Sequence, residues 1–203
     1  IVQYNSDGTL DTNFGTNGKI VLSLSPLTGA EQGNDVSIQT DGKIVIAGKV
    51  ANTNESGGII RLNTNGTLDT SFSEDGKLIF DHQILYGLDI QMDGKIVVTG
   101  YDETIYGFFV GRINTDGTFD TSFGGDGKVS SDFGFDLLFD SHAVKLQIDG
   151  KIVAGGYRKS SQDNKTKYHF FIARYNADGS LDTDFHTNGW HLYEFSDDLS
   201  GVD

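Results

Sequence analysis

Cysteine is missing from the 203 residues, so no disulfide, thiolate nucleophile or Cys-ligated zinc site can form. That absence suits a bacterial exported protein, and cytosolic proteins share it. Basic residues are scarce: 15 Lys and Arg stand against 29 Asp and Glu, a net charge of −14. The shortage argues against a nucleic-acid partner, whose phosphates are gripped by clustered Lys and Arg, and against anionic membrane surfaces. No apolar run is long enough to span a bilayer, and no secretory signal pattern is present. Proline occurs once and glycine 27 times, the balance expected where many turns need positive φ.

The chain is rich in repetition. IQTDGKIVIAGK at 38–49 returns as IQMDGKIVVTGY at 90–101 and LQIDGKIVAGGY at 146–157. Interleaved is a second signature: VQYNSDGTLDTNFGTNGK from Val2, IRLNTNGTLDTSFSEDGK from Ile60, GRINTDGTFDTSFGGDGK from Gly111 and ARYNADGSLDTDFHTNGW from Ala173. Units made only of short strands and turns cannot bury an apolar face alone, so neighbours must stack. The units are drawn at 1–34, 35–86, 87–142 and 143–203. The opening IVQYN matches FIARYN at 171–176, and the closing GVD matches the strand start at Asp35, so the whole reads as one array cut from a longer one.

Within a unit, Val36 and Ile38 alternate with Ser37 and Gln39, the period of a half-buried strand. Asp41-Gly42, Asp93-Gly94 and Asp149-Gly150 are hairpin signals. A β-branched strand follows each and is expected to end at Gly48, Gly100 or Gly155. After a variable loop comes a third strand, at 59–62, 108–113 or 170–175, apolar enough to be buried on both faces. Asn114, Asp116 and Gly117 spell an Asx-type turn. Phe119 and Phe123 lie four apart, which predicts one helical turn onto the core, with Asp-Thr as its cap. A second Asp-Gly or Asn-Gly pair launches a fourth strand, such as 77–80. Four antiparallel strands per unit describe a β-propeller blade; a β-solenoid has much shorter coils. The expected fold is therefore all-β, a propeller of four-stranded antiparallel blades with about three and a half present. Such a segment closes a ring either with flanking blades or by assembly between chains.

The pairing Q-x-D-G-K-[IV]-[VL]-x-x-G with R-[LIY]-N-x-[DN]-G-[TS]-[LF]-D-x-x-F resembles the delta-60 repeat, and the resemblance runs along essentially the whole chain. It implies a β-propeller in a large exported or surface-attached bacterial protein. It implies no catalytic residues and no assigned activity.

Calcium is the cofactor to weigh, and otherwise none is expected. Asn114, Asp116 and Asp120, and likewise Asn176, Asp178 and Asp182, follow the later part of a calcium-loop spacing. The first ligand position, however, falls on Arg112 or Arg174. An Arg there repels the ion and is expected to pair with the local carboxylate, Asp120 in that copy. A weak resemblance to the Asp-box hairpin of sialidase propellers would be a fold decoration. Hydrolysis wants two carboxylates in one cleft, but most acids here sit in repeated turns. The acids that break the repeat are Glu103, Asp136, Asp140 and Asp163, and nothing in the sequence pairs them. No enzyme is expected. His82, His142, His169, His186 and His191 lack H-x-H or H-E-x-x-H spacing, although His186 and His191 flank an Asn-Gly turn and could meet across it.

Topology gives the functional expectation. The Asp-Gly-Lys hairpins and the Asn-turn blocks share one side of the blades, while the connections that differ between units gather on the other. Those connections carry Tyr86, Tyr101, Tyr106, Phe135, Phe139, Tyr157 and Tyr168. Exposed aromatics among Asp and Asn suit a glycan or protein ligand, whereas Leu138 and Phe139 read better as packing residues. The chain is thus expected to be a non-catalytic binding or adhesion module, extracellular or on a bacterial surface, with Tyr86, Tyr101, Tyr106, Tyr157 and Tyr168 as ligand contacts. The alternatives are a structural spacer binding its own kind and a propeller glycoside hydrolase.

Overall fold

The computed structural model describes residues 1–24, 30–50, 56–133, 139–162 and 165–193. These hold twelve strands and no helix. The first sheet contains β1 (Gln32–Ile38), β2 (Ile44–Val50), β3 (Ser56–Leu62) and β4 (Lys77–Phe80). The second contains β5 (Gln83–Ile90), β6 (Ile96–Asp102), β7 (Gly107–Ile113) and β8 (Lys128–Ser131). The third contains β9 (Phe139–Leu146), β10 (Ile152–Gln162), β11 (Lys165–Tyr175) and β12 (Trp190–Tyr193). Each sheet is an antiparallel meander in chain order, a propeller blade. The sheets start a few residues before the unit boundaries drawn at 35, 87 and 143.

The hidden start has a physical cause. A β-bulge interrupts the pairing of the first two strands of every sheet, at Gly33/Asp35, at Leu85/Gly87 and opposite Gly155/Gly156. The bulged strand bends toward its partner and demands a residue without Cβ there. A Cβ on Gly48, Gly100 or Gly156 would fall on the carbonyl oxygen of Gln32, Ile84 or Asp140. These glycines therefore do not end the strands, which run on to Val50, Asp102 and Gln162. In the third copy the required glycine is Gly156, not Gly155.

The Asp-Gly-Lys hairpins form as expected. Gln39 N–H bonds the Lys43 carbonyl at 2.8 Å, and Gly42 takes φ 83°, the left-handed corner of a three-residue loop. The four-residue spacing of Phe119 and Phe123 does not make a helical turn. Phe119 forms an isolated bridge with Ile113, and a turn then carries Phe123 into the core. Equivalent bridges join Leu62 to Leu68 and Tyr175 to Leu181.

The sheets stack through period-two faces. β6 sends Ile96 and Val98 into a core shared with Val45, Ile59 and Phe72 of the first blade, and sends Val97 the other way, to meet Ile152 and Phe171 of the third. The first strands β5 and β9 lie against the preceding sheet. Residues 1–20 repeat the third and fourth strands of a blade. Gln3 N–H bonds Gly18 O as Arg61 N–H bonds Gly76 O, and Phe14, Ile20 and Leu22 pack on Ile44 and Ile60. The half-blade and the three blades match the sequence expectation.

Candidate ligand-binding face

The constant side of the blades is an interlocked ionic scaffold. In the second blade, Asp120 Oδ2 accepts from Arg112 Nε at 2.6 Å and from Lys95 Nζ at 2.8 Å, while Oδ1 accepts from Ser122 N–H and Oγ. Arg112 lies over the Phe123 ring at 4.9 Å and donates through Nη1 to the Ala177 carbonyl of the next unit. The first blade repeats this with Lys43, Arg61, Asp69 and the Thr115 carbonyl, and the third with Lys151, Arg174 and Asp182. Burial alone would raise Asp120, but bonds from Lys95, Ser122 and Arg112 hold it well below the usual carboxylate range. The Arg112–Asp120 pair expected from the sequence is present.

The calcium loops look different once folded. Asn114 turns its amide N–H groups to Thr118 Oγ1 and the Phe119 carbonyl, and Asp116 Oδ1 accepts from Thr118 N–H and Oγ1. Asn176 and Asp178 do the same with Ser180. Asp120 and Asp182 face cationic side chains. The six side chains thus serve the turns and the ion pairs. No cluster of three or more His, Asp or Glu fit for a metal occurs among the described residues.

The opposite end of the strands carries the bulges, and a bulge re-aims a side chain. The bulge residues are Asn34, Tyr86 and His142, one per blade. Asn34 Nδ2 reaches across to the Leu85 carbonyl at 2.7 Å. Tyr86 stacks on His142 with centroids 4.7 Å apart, His142 stacks on Tyr157 at 5.2 Å, and Tyr168 meets Tyr157 edge-on at 5.2 Å. A row of four rings therefore crosses from the second blade to the third. At its end His142, Tyr157, Tyr168 and the exposed Phe170 line an open recess of about 330 Å³. Tyr157 donates its hydroxyl to Asp140 Oδ2 at 2.8 Å, and Asp140 Oδ1 is buried with no hydrogen-bond partner. Burial pushes this carboxyl up, against the opposing pull of Tyr157 and His142. Asp140 stands opposite Tyr157 where the second blade sets buried Ile84 opposite Tyr101.

Three of the five expected tyrosines, Tyr86, Tyr157 and Tyr168, thus come together. Tyr106 is exposed at φ 54° on the β6–β7 hairpin. Tyr101 is buried, its hydroxyl pushed up to about 12 by desolvation, so it supports the blade and is not an exposed contact. Sequence reasoning missed His142 and the setting of Asp140. Aligning Asn34, Tyr86 and His142 as one variable column was the available signal. His186 and His191 do meet, with centroids 3.9 Å apart. Phe135, Leu138, Asp136 and Asp163 lie outside the described residues, as does the closing GVD, and the Phe139 side chain is not described.

The stacked four-stranded meanders define a β-propeller repeat protein. Residues 1–14, 39–72, 91–123 and 147–185 match a family described as a domain of unknown function (DUF5122) beta-propeller. The match covers more than half of the chain, which belongs to this family, the delta-60 type that its motifs resemble. The full-unit matches run from the hairpin glutamine to the turn phenylalanine, leaving Tyr86 and His142 outside them. None of the curated proteins compared matches the chain.

Proposed function

We propose that the chain is a non-catalytic binding module of a large exported or surface-attached bacterial protein, holding a glycan or protein surface against the variable end of its blades. The supporting observation is the aromatic row Tyr86–His142–Tyr157–Tyr168, built from bulge and hairpin positions outside the ionic scaffold. Flat rings in series offer stacking area at low entropic cost, and neighbouring blades add weak contacts through avidity. The exported setting rests on the resemblance of the repeat.

The test is a glycan and matrix-protein array, run with calcium and with chelator, comparing the wild type with Tyr168→Ala and with Tyr86→Ala/His142→Ala. Saturable hits weakened about tenfold by either variant are expected, since truncating a contact aromatic costs roughly 1–2 kcal/mol. A blank array from folded protein, or hits indifferent to both variants, would sink the reading.

A further inference from the structure

Two positions face each other across the last turn of every blade. Gly15 and Ile20, Ser73 and Leu78, Gly124 and Val129, and His186 and His191 are the equivalent pairs. A Cβ on Gly15 would fall on Ile20, and one on Gly124 would come within 2.8 Å of Val129 Cγ2, so the side chains of a pair share one space. The first member takes positive φ each time, at 57°, 49°, 65° and 52°. The half-blade and the first two blades fill the space with a small residue over an apolar one. The third blade places two imidazoles there, with centroids 3.9 Å apart.

The histidine pair is built within one blade, and its position stays open to solvent. Gly124 is exposed, and Ser73, Leu78 and Val129 are half-buried, although a following unit stacks on each of their blades. His186 is exposed and His191 half-buried. Neighbours fix both rings. Thr187 Oγ1 lies 2.9 Å from His186 Nδ1, and the Tyr193 ring meets His191 edge-on with centroids 4.2 Å apart. With Nδ1 engaged by Thr187, Nε2 is the nitrogen that His186 offers to another partner.

We infer that His186 and His191 form a two-imidazole site for a late first-row divalent metal ion, Cu2+ or Zn2+. Imidazole suits these ions, whereas Ca2+ and Mg2+ take oxygen ligands. Two protein ligands leave the other coordination positions to water or to a donor group brought by a partner, unlike the closed sphere of a structural zinc. The site lies at the turn end of the blade and is independent of the aromatic row.

The probe is Cu2+ titrated into the intact chain, read by fluorescence of Trp190, the single tryptophan and the residue before His191, and by electron paramagnetic resonance. Saturable quenching is expected, with hyperfine structure from two nitrogens, and Zn2+ should raise the Tm. His186→Gly and His191→Val install the residues that the second blade carries, so both should keep the wild-type circular dichroism, and each should abolish the saturable quenching. Thr187→Ala should weaken binding about tenfold by releasing the His186 ring. Quenching unchanged in the histidine variants, a signal from a single nitrogen, or loss instead in His82→Gln, where His82 Nδ1 sits 3.3 Å from Glu103 Oε2, would overturn the inference.

Discussion

Asp120→Asn tests the ionic scaffold. The substitution keeps the shape and the acceptor facing Ser122, but replaces Oδ2, which sits 2.6 Å from Arg112 Nε and 2.8 Å from Lys95 Nζ, with a donor. Arg112 is buried and cannot turn to water, so its guanidinium loses its counter-charge in place. Stranding one partner of a buried pair costs about 3–5 kcal/mol. Lys95→Met removes the other cation, but that side chain is partly solvated and Arg112 still satisfies the carboxylate, so about 1 kcal/mol is expected. For a chain of this size, Tm should fall by roughly 8–15 °C in the first variant and less than about 4 °C in the second. Arg112→Met/Asp120→Leu should recover most of the loss, because an apolar pair needs no desolvation. Urea unfolding read by far-UV circular dichroism and by Trp190 fluorescence supplies the energies, Trp190 packing in the core between the second and third blades. Equal costs for Asp120→Asn and Lys95→Met would refute the reasoning, since the network would then be acting as surface charge.

Three further outcomes are expected. Asp69 and Asp120, where hydrogen bonds and cations outweigh burial, and Asp182, which Lys151 holds down first of all, titrate below the usual value; their stabilisation should be complete above about pH 5 and lost as pH falls through 4 and below. Asp140 carries the opposite sign, so ionising it costs stability as pH rises above about 4, and Asp140→Asn should raise the neutral-pH urea midpoint while leaving the acid limb unchanged. Gly156→Ala should cost on the order of 3 kcal/mol, because its Cβ falls on the Asp140 carbonyl, whereas Gly155→Ala, whose nearest neighbour is 3.9 Å away, should stay within about 0.5 kcal/mol; similar urea midpoints would remove the bulge argument.

The blade itself was legible because its signals are local. Asp41-Gly42 names a hairpin, alternation names a strand, and an arginine eight residues before Asp120 names a pair that forms. The bulge was not legible, because its extra residue sits where the units differ and the glycine it requires lies on another strand. Hence Gly100 read as a strand end when it marks a close approach to Ile84. The spacing of Phe119 and Phe123 fits a helical turn equally well, and only the bridge to Ile113 decides against it. The row from Tyr86 to His142 needs two stacked sheets in register, and periodicity within one strand cannot supply that.

The arginine keys and the aromatic row occupy opposite ends of the strands, and that separation explains why one end can vary. Units are keyed together where Arg61 and Arg112 donate to the Thr115 and Ala177 carbonyls of their successors, contacts that depend on backbone position and on the constant turn residues. At the bulge end the pairing requires only a glycine opposite, and the bulge side chain is turned away from the ladder. Asn34, Tyr86 and His142 can therefore differ without disturbing the arginine keys or the interblade cores. The structure thus places chemical variety where the scaffold does not depend on it, and a ligand surface built there can change while the blades stay the same.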